Sequence, residues 1–227
     1  MKDLLEKILL YLPVYIPDLV RIVSGPKRFV AERNNGDEGE LIKAFTFLGV
    51  SLAIFFILQA DIPVRGRGFV LDLGIHGILY LLFVVFLSAV LRFSWKIVGG
   101  KAEYQGFLVT TSYLVGVLFI GLAIGALFFT GILAMFYPDA YSWFIQFLKA
   151  PSIRDAYNPD PGISRSILVA LMGFLSVAVL TLVWGFVAWG AYRELNQLPR
   201  SRSCAAFFLT ILIFLPVAAG LFVLGWK

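Results

Sequence analysis

One cysteine and one histidine stand among 227 residues. A lone thiol excludes an intramolecular disulfide, and a single imidazole beside it excludes the usual four-ligand zinc sets. Charge is scarce too: 19 Lys or Arg and 14 Asp or Glu make up 15% of the chain, crowded into a few stretches. No Gly-x-Ser-x-Gly elbow occurs, so Thr110, Thr111, Ser112, Ser176 and Thr181 have no triad to join. Gly99-Gly100-Lys101 is followed by Ala102 rather than Ser or Thr, which argues against a nucleotide loop. Asp155 and Asp160 share a connection without EF-hand spacing and read as solvated. His76, between Gly74 and Gly77, has no nucleophile near it in sequence and reads as a polar residue at an interface. These absences leave no catalytic residue, no metal ligands and no cofactor to name, and a non-enzymatic protein is the expectation.

Apolar residues fill the space. They make up 60% of the chain, against about 45–50% in soluble domains. Five uncharged runs emerge between consecutive charges: Ala44–Ala60, Leu73–Leu91, Tyr104–Pro138, Ser166–Tyr192 and Ser203–Trp226. About 20 residues cross a bilayer as a helix, so each run suffices for one crossing. The third is long for one and short for two, and predicts a tilted or protruding helix over Phe107–Phe136. No charge lies within these runs, which removes the usual mark of an ion path. The 22 Phe residues are spread along nearly every run, as packing and lipid-facing positions require. The fold class is therefore all-α: a polytopic membrane bundle of five transmembrane helices with amphipathic interfacial helices. Its parts are a cytoplasmic amphipathic region over residues 1–40 and a five-span domain over 41–227.

In the amino-terminal region Leu5, Leu9, Leu12 and Ile16 recur at helical spacing, with Leu4 and Ile8 beside them. This is an amphipathic helix that either lies in the membrane interface or packs on the chain's own loops. Pro13 and Pro17 interrupt the patch, and no cleavable signal is recognisable. Lys and Arg outside the runs divide 13 against six between the two sides, which places the amino terminus in the cytoplasm and the carboxyl terminus outside.

The connections follow from their breakers. Arg92–Glu103 turns at Gly99-Gly100-Lys101, and Arg193–Arg202 turns at Pro199, giving two tight helical hairpins. The link from Asp139 to Arg165 carries Trp143, Phe144, Phe147 and Leu148 at helical spacing, then a turn at Asn158-Pro159-Asp160-Pro161-Gly162, where two prolines exclude regular helix. Ser112 and Gly116, and again Gly121 and Gly125, place small residues every fourth position in the third run, where helices can approach closely. Packing within the bundle is expected there ahead of homodimerisation. Pro216 should bend the last run.

Nine basic residues come out at the cytoplasmic face: Lys27, Arg28 and Arg33 before the first run, Arg92, Lys96 and Lys101 in one hairpin, and Arg193, Arg200 and Arg202 in the other. They can contact anionic lipid headgroups or a protein partner, or serve only to set topology. Because they flank apolar runs rather than form one soluble surface, nucleic acid is not an expected partner.

The segments VGGKAEYQGFLVTTSYLVG (98–116), GPKRFV (25–30) and YRELNQLPRSRSCAA (192–206) resemble the Yip domain (Ypt-interacting protein) family, particularly its bacterial branch. The resemblance covers roughly Val23 to the carboxyl terminus. It implies a non-enzymatic polytopic protein of a prokaryotic plasma membrane. Eukaryotic members are linked to Rab GTPase recruitment, vesicle trafficking and membrane shaping, and carry a cytosolic Tyr-Gly-Pro motif that does not occur here. Two functions follow from the sequence: a membrane scaffold or organiser acting through loops, lipids or a second copy, or a small permease or transporter subunit for an uncharged or lipid-like substrate.

Overall fold

The computed structural model describes the backbone of residues 2–34, 38–58, 69–149 and 161–225, with side chains over 13–34, 39–58, 74–148 and 161–216. Every element among these residues is a helix. In chain order they are α1 (Lys2–Ser24), α2 (Pro26–Arg33), α3 (Glu38–Leu58), α4 (Phe69–Ile97), α5 (Tyr104–Phe136), α6 (Pro138–Lys149), α7 (Pro161–Asn196) and α8 (Arg200–Gly225). Residues 39–58 of α3, 74–97 of α4, and all of α5 and α7 are long and apolar enough to cross a membrane. These four helices mark a membrane protein. The carboxyl-terminal side chains of α8, expected as a fifth span, lie outside the described residues, as do Asp155, Asp160 and the stripe Leu4, Leu5, Ile8, Leu9 and Leu12.

Three boundaries differ from the sequence expectation. α3 begins at Glu38 and so carries Glu40 and Lys43 within the helix. A count that stops at each charge cannot see this, because these charges are neutralised by ion pairs. α1 continues through Pro13 and Pro17 to Ser24. Each proline removes one donor from the ladder, and both sit on the exposed side of the helix. Pro161 opens α7 rather than extending a turn, since a first-turn residue needs no amide hydrogen.

Contacts group the chain into two compact units. Residues 1–50, 78–116 and 185–227 form the first, and residues 51–77 and 117–184 the second. In the first unit α5 is the central helix: residues 107–116, uncharged but including Thr110, Thr111 and Ser112, are all buried. Phe29, Phe47 and Tyr113 pack ring on ring beside it, and Phe107 stacks on Tyr192 of α7. The α4–α5 turn closes with the Gly100 amide donating to the Trp95 carbonyl at 2.8 Å, and Gly99 at φ 96° takes a conformation that side chains disfavour. In the α7–α8 hairpin Trp189 Nε1 donates to Ser203 Oγ at 3.0 Å.

In the second unit α6 folds back on α5. Phe129 and Phe144 are 15 residues apart, which would be about 22 Å along a straight helix, yet their rings meet at 5.1 Å. Leu133, Ala140 and Ala170 are buried at the fold, with Tyr141 and Ile167 packed against them. The small residues of α5 also act here: Thr181 of α7 fills the space over Gly121, and Phe174 the space over Gly125. In the first unit Ser112 and Gly116 are buried, and the Ser112 hydroxyl has no hydrogen-bond partner among the described residues, so size is what it contributes.

Several Ser and Thr hydroxyls in the described helices bond back to the preceding turn. Ser88 donates to the Val84 carbonyl, Ser94 to Val90, Thr111 to Phe107 and Thr210 to Ala206, at 2.7–2.9 Å. Such bonds satisfy a polar group where no water is present.

A Cβ at Gly121 would lie 2.6 Å from Thr181 Oγ1 and 2.7 Å from its Cγ2. That side chain is β-branched and tied to the Val177 carbonyl. Gly121→Ala should therefore cost about 1–3 kcal/mol, whereas Gly185→Ala, with nothing within 4 Å, should leave stability unchanged or slightly raised. Thermal unfolding of both variants in detergent checks this; equal behaviour would exclude a close α5–α7 contact.

Candidate functional site

Polar chemistry in the first unit concentrates where α1, α2, α3 and α5 meet. α2 is eight residues long, too short to persist alone, and starts where Gly25 breaks the chain and Pro26 presets the first turn. Its last residue, Arg33, projects between two carboxylates: Nη2 is 2.8 Å from Asp18 Oδ1 of α1, and Nη1 is 3.2 Å from Glu40 Oε2 of α3. Glu40 also accepts from Lys43 at 2.6 Å, and its place in the first turn of α3 suits a negative charge. Only 18% of the Arg33 side chain is exposed, 4% of Asp18 and 11% of Glu40. Burial works against the Arg33 charge, and Asp18 foremost, with Tyr113 and Glu40, more than offsets it, so its pKa lies above the ordinary value. A raised pKa means this contribution is complete below the unfolded-state value and lost only in strong alkali.

Phe29 lies beneath this cluster, with Arg33 at 5.4 Å and Arg21 at 5.9 Å from its ring centroid. Asn34 extends the network, donating from Nδ2 to Thr110 Oγ1 of α5 at 3.1 Å. A second polar knot joins the hairpins: Asn196 Oδ1 accepts the Ala102 amide at 3.3 Å, and its Nδ2 donates to the Tyr192 carbonyl at 2.8 Å. The Tyr192 hydroxyl meets Thr111 Oγ1 at 3.0 Å.

The nine basic residues separate into distinct settings. Arg33 is engaged inside the fold. Lys27 lies along α7, its side-chain end in the space over Gly190. Arg28 is 90% exposed and pairs with Glu32, and Arg193 pairs with its neighbour Glu194. Arg92 stands 6.0 Å over the Tyr104 ring. Lys96, Lys101, Arg200 and Arg202 are exposed. Arg202 Nη1 is 3.2 Å from where a Gly99 Cβ would be, so the turn holding Lys101 and the start of α8 are brought together.

Asp18, Glu40, Asn34 and Asn196 were missed by the sequence reading. For Asp18 a signal existed: Tyr15, Asp18 and Ile22 share one helical face by spacing, and all three are buried.

No protein-family model matches the chain, and neither a curated protein nor a solved structure matches it.

Removing one partner of a buried pair leaves an uncompensated charge, at a cost of about 3 kcal/mol. Arg33→Gln should lower stability by about that much, and Arg28→Gln by less than about 1 kcal/mol. Adding Asp18→Asn to Arg33→Gln should cost less than the sum of the single changes. Unfolding midpoints in detergent of the unmodified chain, the three single variants and the double variant measure this, and equal losses for Arg33→Gln and Arg28→Gln would refute the central role of the triad.

Proposed function

We propose that this chain is a five-span, non-enzymatic integral membrane protein of the Yip type. Its amino terminus is cytoplasmic and its carboxyl terminus outside, and it organises membrane through basic cytoplasmic hairpins that contact anionic lipid. The observation that carries the reading is the junction of the hairpins. Asn196 bonds the Ala102 amide while Arg202 lies over Gly99, so Lys101, Arg200 and Arg202, distant in sequence, sit in one neighbourhood. Further support comes from the filled interior around α5, where Phe29, Phe47, Trp95 and Tyr113 are fully buried. The outward side chains are those lipid would cover: Leu180 and Phe186 of α7 and Leu212 of α8 are about two-thirds exposed or more. For α1 the interfacial alternative is favoured by Ile16, Val20 and Val23, which are exposed on one side.

Two measurements test the reading. A fluorescent reporter active only in the cytoplasm should be dark after Lys227 and bright before Met1; brightness at the carboxyl end would overturn the span count or the orientation. Purified protein should retain anionic over zwitterionic phospholipid at low salt. Changing Lys101, Arg200 and Arg202 together to Gln should weaken retention by about 1 kcal/mol per charge without altering orientation. Raised salt should erase the preference, and its absence in the unmodified protein would remove the lipid role of the hairpins.

A further inference from the structure

We infer that the groove between α1 and α2 binds the phosphate of one anionic phospholipid headgroup. The groove has a volume of about 400 Å³ and is lined by Arg21, Ser24, Gly25, Arg28, Phe29 and Glu32. This inference rests on the reading of α1 as an interfacial helix and assigns residues that the hairpin surface does not include.

Two guanidiniums line the groove, and Glu32 holds both: Oε2 pairs with Arg21 and Oε1 with Arg28. Each arginine gives that carboxylate a single nitrogen, from groups that carry five N–H donors. The remaining donors are available to an anion, and the fork of a guanidinium matches two phosphate oxygens. Glu32 opposes an incoming anion, yet both its oxygens are already neutralised, and two cations against one carboxylate leave a net positive charge. Phe29 closes the floor, with Arg21 over its ring. The groove also borders the start of α2, where Gly25 provides no side-chain cap. The amides of Lys27 and Arg28 in the first turn have no acceptor within the helix.

The exposed side of α1 indicates lipid as the source of the phosphate. At about 100° per residue, Ile16, Val20 and Val23 fall on one face, Arg21 and Ser24 on a second, and the buried Tyr15, Asp18 and Ile22 on a third, each roughly a third of a turn from the next. The first face is 47–61% exposed. With that face in the acyl boundary and the third against the bundle, the second comes to headgroup level. A phosphodiester without a headgroup amine fits a groove with one net positive charge better than a zwitterion does.

Native mass spectrometry of the full chain in mild detergent, titrated with phosphatidylglycerol or phosphatidylcholine of matched acyl chains, tests this. The first phosphatidylglycerol should bind at least tenfold more tightly than phosphatidylcholine. Arg21→Gln with Arg28→Gln should weaken it at least tenfold. Glu32→Gln removes the opposing charge while keeping an acceptor for one arginine, and should strengthen binding several-fold, a gain that a folding defect would not produce. Unchanged binding in the double variant, or weakened binding in Glu32→Gln, overturns the site. Displacement of the lipid by millimolar inorganic phosphate overturns lipid as its source. The Lys101, Arg200 and Arg202 variant reports separately on the hairpins and should keep this first lipid; its loss there, with the groove variants unaffected, also overturns the groove.

Discussion

The Arg33 guanidinium lies at the end of an eight-residue helix and touches carboxylates from the helices before and after it. A cation this far from water is stable only while its anions stay, and Asp18 depends on it in turn, whereas Glu40 also has Lys43. The three helices are therefore held as a set. α2 could not persist by its own propensity, because nucleating a helix costs more than two turns return. It persists because Phe29 and Val30 are buried and because Arg33 and Asn34 fasten its end to α1, α3 and α5. The same constraint orders the neighbouring side chains. Two guanidiniums stand over the Phe29 ring, which packs nearly perpendicular to Tyr113 with centroids 4.9 Å apart, so the electrostatic cluster and the aromatic core share a wall.

The long helices were legible because a bilayer makes composition itself a structural signal. Five uncharged runs of sufficient length mark helices whichever way their side chains point. The third run was placed within three residues of its observed start, and both hairpin turns fell where Gly99-Gly100 and Pro199 put them. Other features were hidden for identifiable reasons. Counting Lys and Arg treats Arg33 and Arg28 alike, although one is enclosed and the other almost fully exposed, because their difference is set by Asp18, 15 residues before Arg33, and Glu40, seven after. The bond from Ala102 to Asn196 spans 94 positions and depends on the register of two hairpins, which no local pattern encodes. Gly121 was recognisable as a close-approach residue, but not Thr181 as the side chain that fills its notch.

α1 has a distribution of polarity that water alone would not favour. Its inward face carries Asp18 between Tyr15 and Ile22, while Ile16, Val20 and Val23 are exposed. In an aqueous setting the outward face opposes docking only weakly, since those side chains are no worse exposed on a docked helix than on a free one. At a membrane interface each gains about 1 kcal/mol from the acyl boundary, a total comparable with the cost of removing one partner of the Asp18–Arg33 pair. The two contributions differ in kind, because the ion pair fixes position and rotation whereas the apolar face fixes only depth. A helix held by both has its rotation set from inside and its depth set from outside. On the interfacial placement proposed for α1, the remaining face, with Arg21 and Ser24, points toward the headgroups.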